Sequence, residues 1–212
     1  MAARGPSGES GDMKSGFFPA DPPATEPPVE PRRERNPSFE PSADELPVLF
    51  AVSEVIARGE NVVIALTGVR VFSDGIELLI ERHLRRGSID EGDWRQVHGM
   101  FAEHWGRGAL APDRLRWGLV LGDGTRLFAE DRFGAPFDAD PDRHTMRVNG
   151  GSGSGDDDRY TMRNQLWVHP LPPEGPLELV VQWPAFGIGE SRVVLDGGRI
   201  AALAPSVKPL WG

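Results

Sequence analysis

The chain has 212 residues, a formal net charge of −9, 20 prolines, 26 glycines and no cysteine. The lack of cysteine excludes a disulfide scaffold, a thiol nucleophile and a thiolate zinc site. The acidic balance argues against a nucleic-acid-binding protein, because neutralising phosphates requires clustered Lys and Arg.

Residues 1–46 differ in composition from the rest of the chain. They hold nine of the 20 prolines, and nine acidic against five basic residues. Closely spaced prolines favour extended, polyproline-like chain, because proline has no backbone donor. The stretch also has too little apolar surface to offset an ordering cost of about 1–2 kcal/mol per residue. We predict a disordered, proline-rich, acidic tail over 1–46 and a folded domain over 47–212.

The beginning of the chain does not resemble a secretory signal, since no apolar run follows the first residues. No stretch in the sequence has the length and apolar character of a transmembrane helix. We therefore expect a cytoplasmic protein whose partners include neither a membrane nor a nucleic acid. A protein partner is expected instead, and the oligomeric state stays open.

The first part of the predicted domain contains a hairpin. The runs 62–72 and 76–85 are apolar and flank Asp74-Gly75, a pair whose tolerance of positive φ makes it a strong turn signal. One face of the second run carries Ile76, Leu78, Ile80 and Arg82. A further strand is predicted upstream over 48–56.

One helix is predicted over about 91–106. Helical spacing relates Trp94, Val97, Met100 or Phe101, and His104 or Trp105. Acidic residues near the start suit the positive end of a helix dipole. We expect this helix to be inserted between strands and to lie over an edge or end of the domain.

The remaining part of the chain again favours strands. Five are predicted, over 115–121, 125–129, 165–169, 177–183 and 191–195. The third and fourth of these are expected to pair, a short helix is expected over 199–204, and a long mobile loop over about 131–160. Short strands between turn residues, without βαβ alternation, predict an all-β fold. We expect an antiparallel, immunoglobulin-like sandwich of about seven or eight strands with one or two short helices.

Several blocks of the predicted domain resemble an uncharacterised family of actinobacterial β-sandwich proteins. They are VIALTGVR at 63–70, the glycine-rich segment 150–155, WVHPLPPEGPL at 167–177 and WPAFGIGE at 183–190. The resemblance covers most of 47–212 and implies the same domain limits. It brings no assigned activity, cofactor or catalytic residue.

Candidate centres for chemistry are weak. His98 and His104 are six residues apart, about 600° of helix rotation, whereas a helical metal pair needs a spacing of four. The acidic run 156–158 lacks the spacing of a calcium-binding loop. No serine stands at the centre of a Gly-x-Ser-x-Gly elbow, and the glycine-rich run does not lead to a Lys. We predict no catalytic, cofactor-binding or metal-binding residues.

Six tryptophans are the remaining feature. Three lie in predicted strands and are expected in the sandwich core, where such rings bury large areas: Trp117, Trp167 and Trp183. The other candidates are expected to be partly exposed and to contact a partner, with coverage of the domain's own edge as the alternative: Trp94, Trp105, Phe186 and Trp211.

These patterns favour a non-enzymatic interaction or accessory module over an enzyme. Two alternatives stay open. One is a small-molecule-binding or hydrolytic domain with its site between the inserted helix and the sandwich. The other is a structural subunit of a larger assembly.

Overall fold

The structure is a computed structural model, and it describes residues 35–102, 112–130 and 143–211. The predicted tail therefore lies outside the described residues as far as residue 34, and so does Trp105. The compact unit that the structure describes belongs to residues 35–212.

The described residues form twelve strand segments and two α-helices. In chain order these are β1 (Glu45–Leu46), β2 (Val48–Phe50), β3 (Glu54–Arg58), β4 (Val62–Val71), β5 (Ile76–Arg85), α1 (Glu91–Ala102), β6 (Arg116–Val120), β7 (Arg126–Glu130), β8 (Thr145–Gly155), β9 (Arg159–His169), β10 (Pro176–Trp183), β11 (Ile188–Asp196), α2 (Gly197–Ala201) and β12 (Lys208–Pro209). Single 3₁₀ turns occur at Pro184–Phe186 and Ala204–Ser206. The predicted helix is present as α1.

Ten of these strands belong to one continuous sheet. Its order is β11-β10-β6-β7-β8-β9-β5-β4-β2, and β3 also pairs with β4. The β7–β8 pair is parallel and joins two antiparallel halves that enclose a common core. At the far edges of the two halves, β11 approaches β3. Gly59, just after β3, lies so close to the Phe186 carbonyl oxygen that a Cβ atom at this position would be only 2.5 Å from it. The predicted all-β antiparallel sandwich is confirmed, with more strands than the seven or eight expected.

The strand pairing confirms two hairpins and corrects a third. The hairpins β4–β5 and β6–β7 pair as predicted. However, β9 pairs with β5 and β8, whereas β10 pairs with β6 and β11. The proline-rich connection between β9 and β10 therefore crosses from one half of the sandwich to the other. The single strand expected over 48–56 is divided into β2 and β3.

The core lies between the two halves and is built from alternating positions of their strands. Ile64 and Leu78 project into it from one half, and Leu119 and Leu179 from the other, each with at most 1% of its surface exposed. Burying such a side chain stabilises the fold by about 1.5–3 kcal/mol. Trp117 and Trp183 belong to this core, as predicted.

The prediction of a mobile loop over 131–160 is wrong for the second part of that range. Residues 145–155 form β8, in which Ser152 pairs with Arg163 and Ser154 with Thr161 of β9. The glycine-serine run can join the sheet because pairing uses the backbone, which needs no apolar side chain. The positive φ of Gly150 accommodates the register shift that follows Asn149. Residues 131–142 lie outside the described part.

The folded domain also begins before residue 47. Arg35 forms an ion pair with Asp74 at 2.8 Å, Ser38 is buried, and β1 pairs with β12. Composition predicted disorder here because the segment is poor in apolar residues. The segment is ordered instead by hydrogen bonds to the sheet, which composition does not reveal.

Candidate functional site

The four residues predicted to contact a partner have different environments. Trp211 is 74% exposed, as expected. Trp94 is only 7% exposed, so its predicted exposure is wrong; α1 turns this side chain onto the core. Phe186 is half-buried and packs against Trp183 and Phe101, with ring centroids 4.3 and 5.9 Å away. Trp105 lies outside the described residues.

Trp211 is one of four exposed apolar residues at or beside the β1–β12 ribbon, which we together call the ribbon patch. The patch consists of Leu46 (54% exposed), Leu49 (68%), Leu210 (46%) and Trp211. These are four of the seven large hydrophobic side chains exposed in the described part of the chain. Exposed apolar groups grouped in this way are characteristic of interaction surfaces.

The ribbon patch is assembled by the two-stranded sheet of β1 and β12. Leu46 pairs with Lys208, and the Leu210 backbone amide donates to the Asp44 carbonyl at 2.8 Å. Leu49 follows on β2, the end strand of the large sheet. Residues from both ends of the domain therefore meet at this ribbon, which is why the sequence alone did not indicate the patch.

A second unusual feature is an arginine inside the sandwich. Arg82 is fully buried on the core face of β5. Its Nε donates to Asn164 Oδ1 at 2.9 Å, and its Nη1 donates to the Phe101 carbonyl at 3.3 Å. The guanidinium carbon lies 5.1 Å from the Phe101 ring centroid and 5.2 Å from that of Trp183.

Burial lowers the pKa of Arg82 to about 10, so the group remains charged at neutral pH. The charge is stabilised by two aromatic faces and by the last turn of α1, whose carbonyl groups form the negative end of the helix dipole. Within the described residues, Arg82 Nη2 and Asn164 Nδ2 have no hydrogen-bond partner. The apolar alternation of β5 was the signal that placed Arg82 on this face.

The face of β8 and β9 that points away from the core binds a short segment of main chain, residues 36–39, which we call the strap. Trp167 Nε1 donates to the Pro37 carbonyl at 2.8 Å. Arg147 Nε donates to the Ser38 carbonyl at 3.1 Å, and Asn149 Nδ2 to the Phe39 carbonyl at 2.8 Å. Three consecutive carbonyl groups are thus bound by side chains of β8 and β9.

The strap is itself a compact turn. The Phe39 amide donates to the Asn36 carbonyl at 2.9 Å, and the Ser38 amide donates to Asn36 Oδ1 at 3.0 Å. Pro37 at the second position favours such a turn, because its φ is already fixed near the required value. The turn places the Phe39 ring 3.9 Å from the Arg147 guanidinium carbon, a cation–π contact.

The side chains beneath the strap are buried. Trp167 is completely buried, yet it lies outside the sandwich core, because alternation in β9 directs Leu166 and Val168 inward instead. The expectation that Trp167 belongs to the core is therefore wrong.

Glu77, the residue of β5 that pairs with Trp167, forms an ion pair with Arg70 at 2.6 Å. Burial raises the pKa of Glu77, and the Arg70 charge partly opposes this shift.

Two open clefts lie beside α1 and the β3–β4 turn. One, of about 440 Å³, is lined partly by Asp90 and Asp93; the other, of about 400 Å³, partly by Arg85 and Arg159. In the described ranges, no three His, Cys, Asp or Glu side chains are grouped to hold a metal ion. No helix of the described part is both long and apolar enough to cross a membrane.

Comparison with known proteins gives no relationship: no family model, curated protein or solved structure matches the chain. The resemblance to an actinobacterial family stays a prediction. Function must therefore be argued from the surfaces described above.

Proposed function

We propose that this protein is a non-enzymatic interaction module that binds a protein partner through the ribbon patch. The observation that supports this proposal is that Leu46, Leu49, Leu210 and Trp211, at or beside the β1–β12 ribbon, each have roughly half or more of their surface exposed. Leaving such groups in water is costly, since burying apolar surface contributes about 25 cal/mol per Å². A partner that covers them recovers this free energy.

The chemistry of the patch indicates the kind of partner. Exposed tryptophan is enriched at protein interfaces, where a few large side chains contribute most of the affinity. Lys208, opposite Leu46 in the β1–β12 ribbon, adds a positive charge beside the apolar surface. We expect a folded partner with an apolar pocket for Trp211 and an acidic residue at its rim.

The experiment compares capture of proteins by the full chain and by Trp211→Ala in native extracts, using quantitative mass spectrometry. Each protein enriched by the parent chain is then purified, and its affinity is measured by calorimetry. We expect Trp211→Ala to weaken binding at least about tenfold, the effect of losing roughly 1.4 kcal/mol at an interface hot spot.

The matched control is Phe128→Ala. Phe128 is also a large exposed aromatic residue, with 73% of its surface accessible, but it lies on β7. This variant should bind like the parent. Equal binding by Trp211→Ala and Phe128→Ala would reject the ribbon patch as the docking surface.

A further inference from the structure

The strap is bound in the way that a protein binds a foreign peptide. Three hydrogen bonds from the sheet go to main-chain carbonyl groups of the strap, and their donors are side chains of two neighbouring strands. The Trp167 ring packs edge-on against Phe72 and stacks on His169, with ring centroids 5.5 and 6.2 Å away, so residues outside the strap restrain this donor. Restrained donors lose little conformational freedom on binding, which is the property of a preorganised site.

The strap, for its part, has the properties of a ligand. It forms its own turn through Asn36, and Phe39 is the one large apolar side chain that it brings to the sheet. Arg35, just before it, adds the ion pair with Asp74 at 2.8 Å. Recognition therefore depends on a specific sequence, Arg-Asn-Pro-Ser-Phe, whose turn, ring and terminal charge each have a partner.

The connection to the rest of the domain is short. Residues 40–44 join the strap to β1, a span of at most about 17 Å when fully extended. Such a tether gives the strap a high effective concentration at its own site, so binding within one chain dominates in dilute solution. The same complementarity exists between any two copies of this chain, because each copy carries both the turn and its receptor.

We propose that the outer face of β8 and β9 is a peptide-recognition site, occupied in cis by residues 36–39, and that the strap of a second copy of this chain binds it in trans. Exchange of straps between two copies satisfies both sites at once and gives a closed, twofold dimer. No residue of this site belongs to the ribbon patch, and the inference does not depend on the proposed function.

A complementation experiment tests the inference with two full-length variants. Asn36→Ala/Phe39→Ala removes the side-chain hydrogen bond that supports the turn, and the aromatic ring, but leaves the receptor side chains intact. Asn149→Ala/Trp167→Phe removes two receptor donors but leaves the strap intact. Sedimentation velocity is recorded for each variant alone and for the equimolar mixture, after circular dichroism has confirmed that both are folded.

We expect each variant to be monomeric alone and the mixture to form a one-to-one complex, because the free strap of one copy can bind the open receptor of the other. The complex should persist when Trp211→Ala is added to both variants, which separates this surface from the ribbon patch. A mixture that sediments as the sum of its components would overturn the inference.

A peptide experiment covers the case in which the receptor variant does not fold. A fluorescent peptide of residues 33–42 is titrated into Asn36→Ala/Phe39→Ala, and anisotropy is measured. We expect saturable binding that is at least tenfold weaker for a peptide with the same composition in scrambled order. Equal affinity for both peptides, or no binding, would overturn the inference.

Discussion

Two arginines are buried in the described part of the chain, and they lie on opposite faces of the same sheet. Arg82 projects into the core and Arg147 lies under the strap, and both have at most 1% of their surface exposed. Each donates to a main-chain carbonyl and lies against an aromatic ring. The same chemistry therefore orders two different regions of the molecule.

The difference lies in what covers them. Arg82 is enclosed by α1, β9 and β10, so separating it from its partners requires opening the core. Arg147 is covered by the strap, joined to β1 through residues 40–44. Local stability follows the number of buried apolar contacts that must be broken. The interior cluster should therefore open only with global unfolding, whereas the strap can detach while the sandwich stays intact.

The largest effect is expected from Arg82→Ala. The variant leaves a cavity and removes the partners of Asn164 Oδ1 and the Phe101 carbonyl, so the free energy of unfolding should fall by about 3 kcal/mol. Urea denaturation measures this change. Arg163→Ala is the matched control, because Arg163 is an exposed arginine paired with Glu81; it should cost less than about 1 kcal/mol. Equal losses would contradict the assigned role of the interior cluster.

A smaller and more local effect is expected from Trp167→Phe. The variant loses the hydrogen bond to Pro37 and part of a buried ring, which should cost about 1–2 kcal/mol. Hydrogen exchange at the Phe39 amide should accelerate, while exchange in β5 should remain slow. Trp211→Phe, at an exposed site, should change neither quantity. If the β5 amides accelerated as much as Phe39, the strap would not be an independently opening unit.

The smallest expected effect is on the pH dependence of the free energy of unfolding, through His169 at the edge of the strap region. Burial lowers the pKa of His169 below its usual 6.5, and nearby Asp74 opposes this shift while Arg35 and His144 add to it. The unfolded chain then binds a proton that the folded chain does not, so stability should decrease as pH falls below about 6.5. Chemical denaturation between pH 8 and 5 should show a shallower decrease for His169→Gln.

The companion variant for this test is Asp74→Asn. Removing the carboxylate 4.0 Å from the His169 ring should lower the pKa of the imidazole further and make the decrease steeper. A slope that is unchanged in both variants would show that His169 does not contribute to the pH dependence of stability.

The residue pattern predicted the individual strands and the helix well, but it predicted the pairing of distant strands less well. Asp74-Gly75 and the flanking apolar runs were sufficient for the β4–β5 hairpin, because its contacts are close in sequence. The pairing of β9 with β5 was not predictable in this way. These strands are more than 70 residues apart at every paired position, and several apolar strands in the chain are equally suitable partners.

The candidate surfaces were also predictable only where they depend on residues close together in the chain. Exposure of Trp211 could be predicted, but the position of the chain end beside Leu46 depends on the pairing of β1 with β12. Trp167 was predicted to be buried, yet alternation alone did not indicate which face of β9 was the core face. The strap was missed because its stability comes from side chains more than 100 residues away, not from its own composition.

By itself, the sequence determined the all-β class, the two local hairpins, the position of α1 and the alternation that places Arg82 among core residues. These depend on periodicity and turn chemistry, which act over a few neighbouring residues. Tertiary structure alone decided the order of strands, the burial of Trp94, the ribbon patch and the binding of the strap to β8 and β9. Each of these requires residues distant in the chain to meet, and short-range patterns do not encode which distant surfaces are complementary.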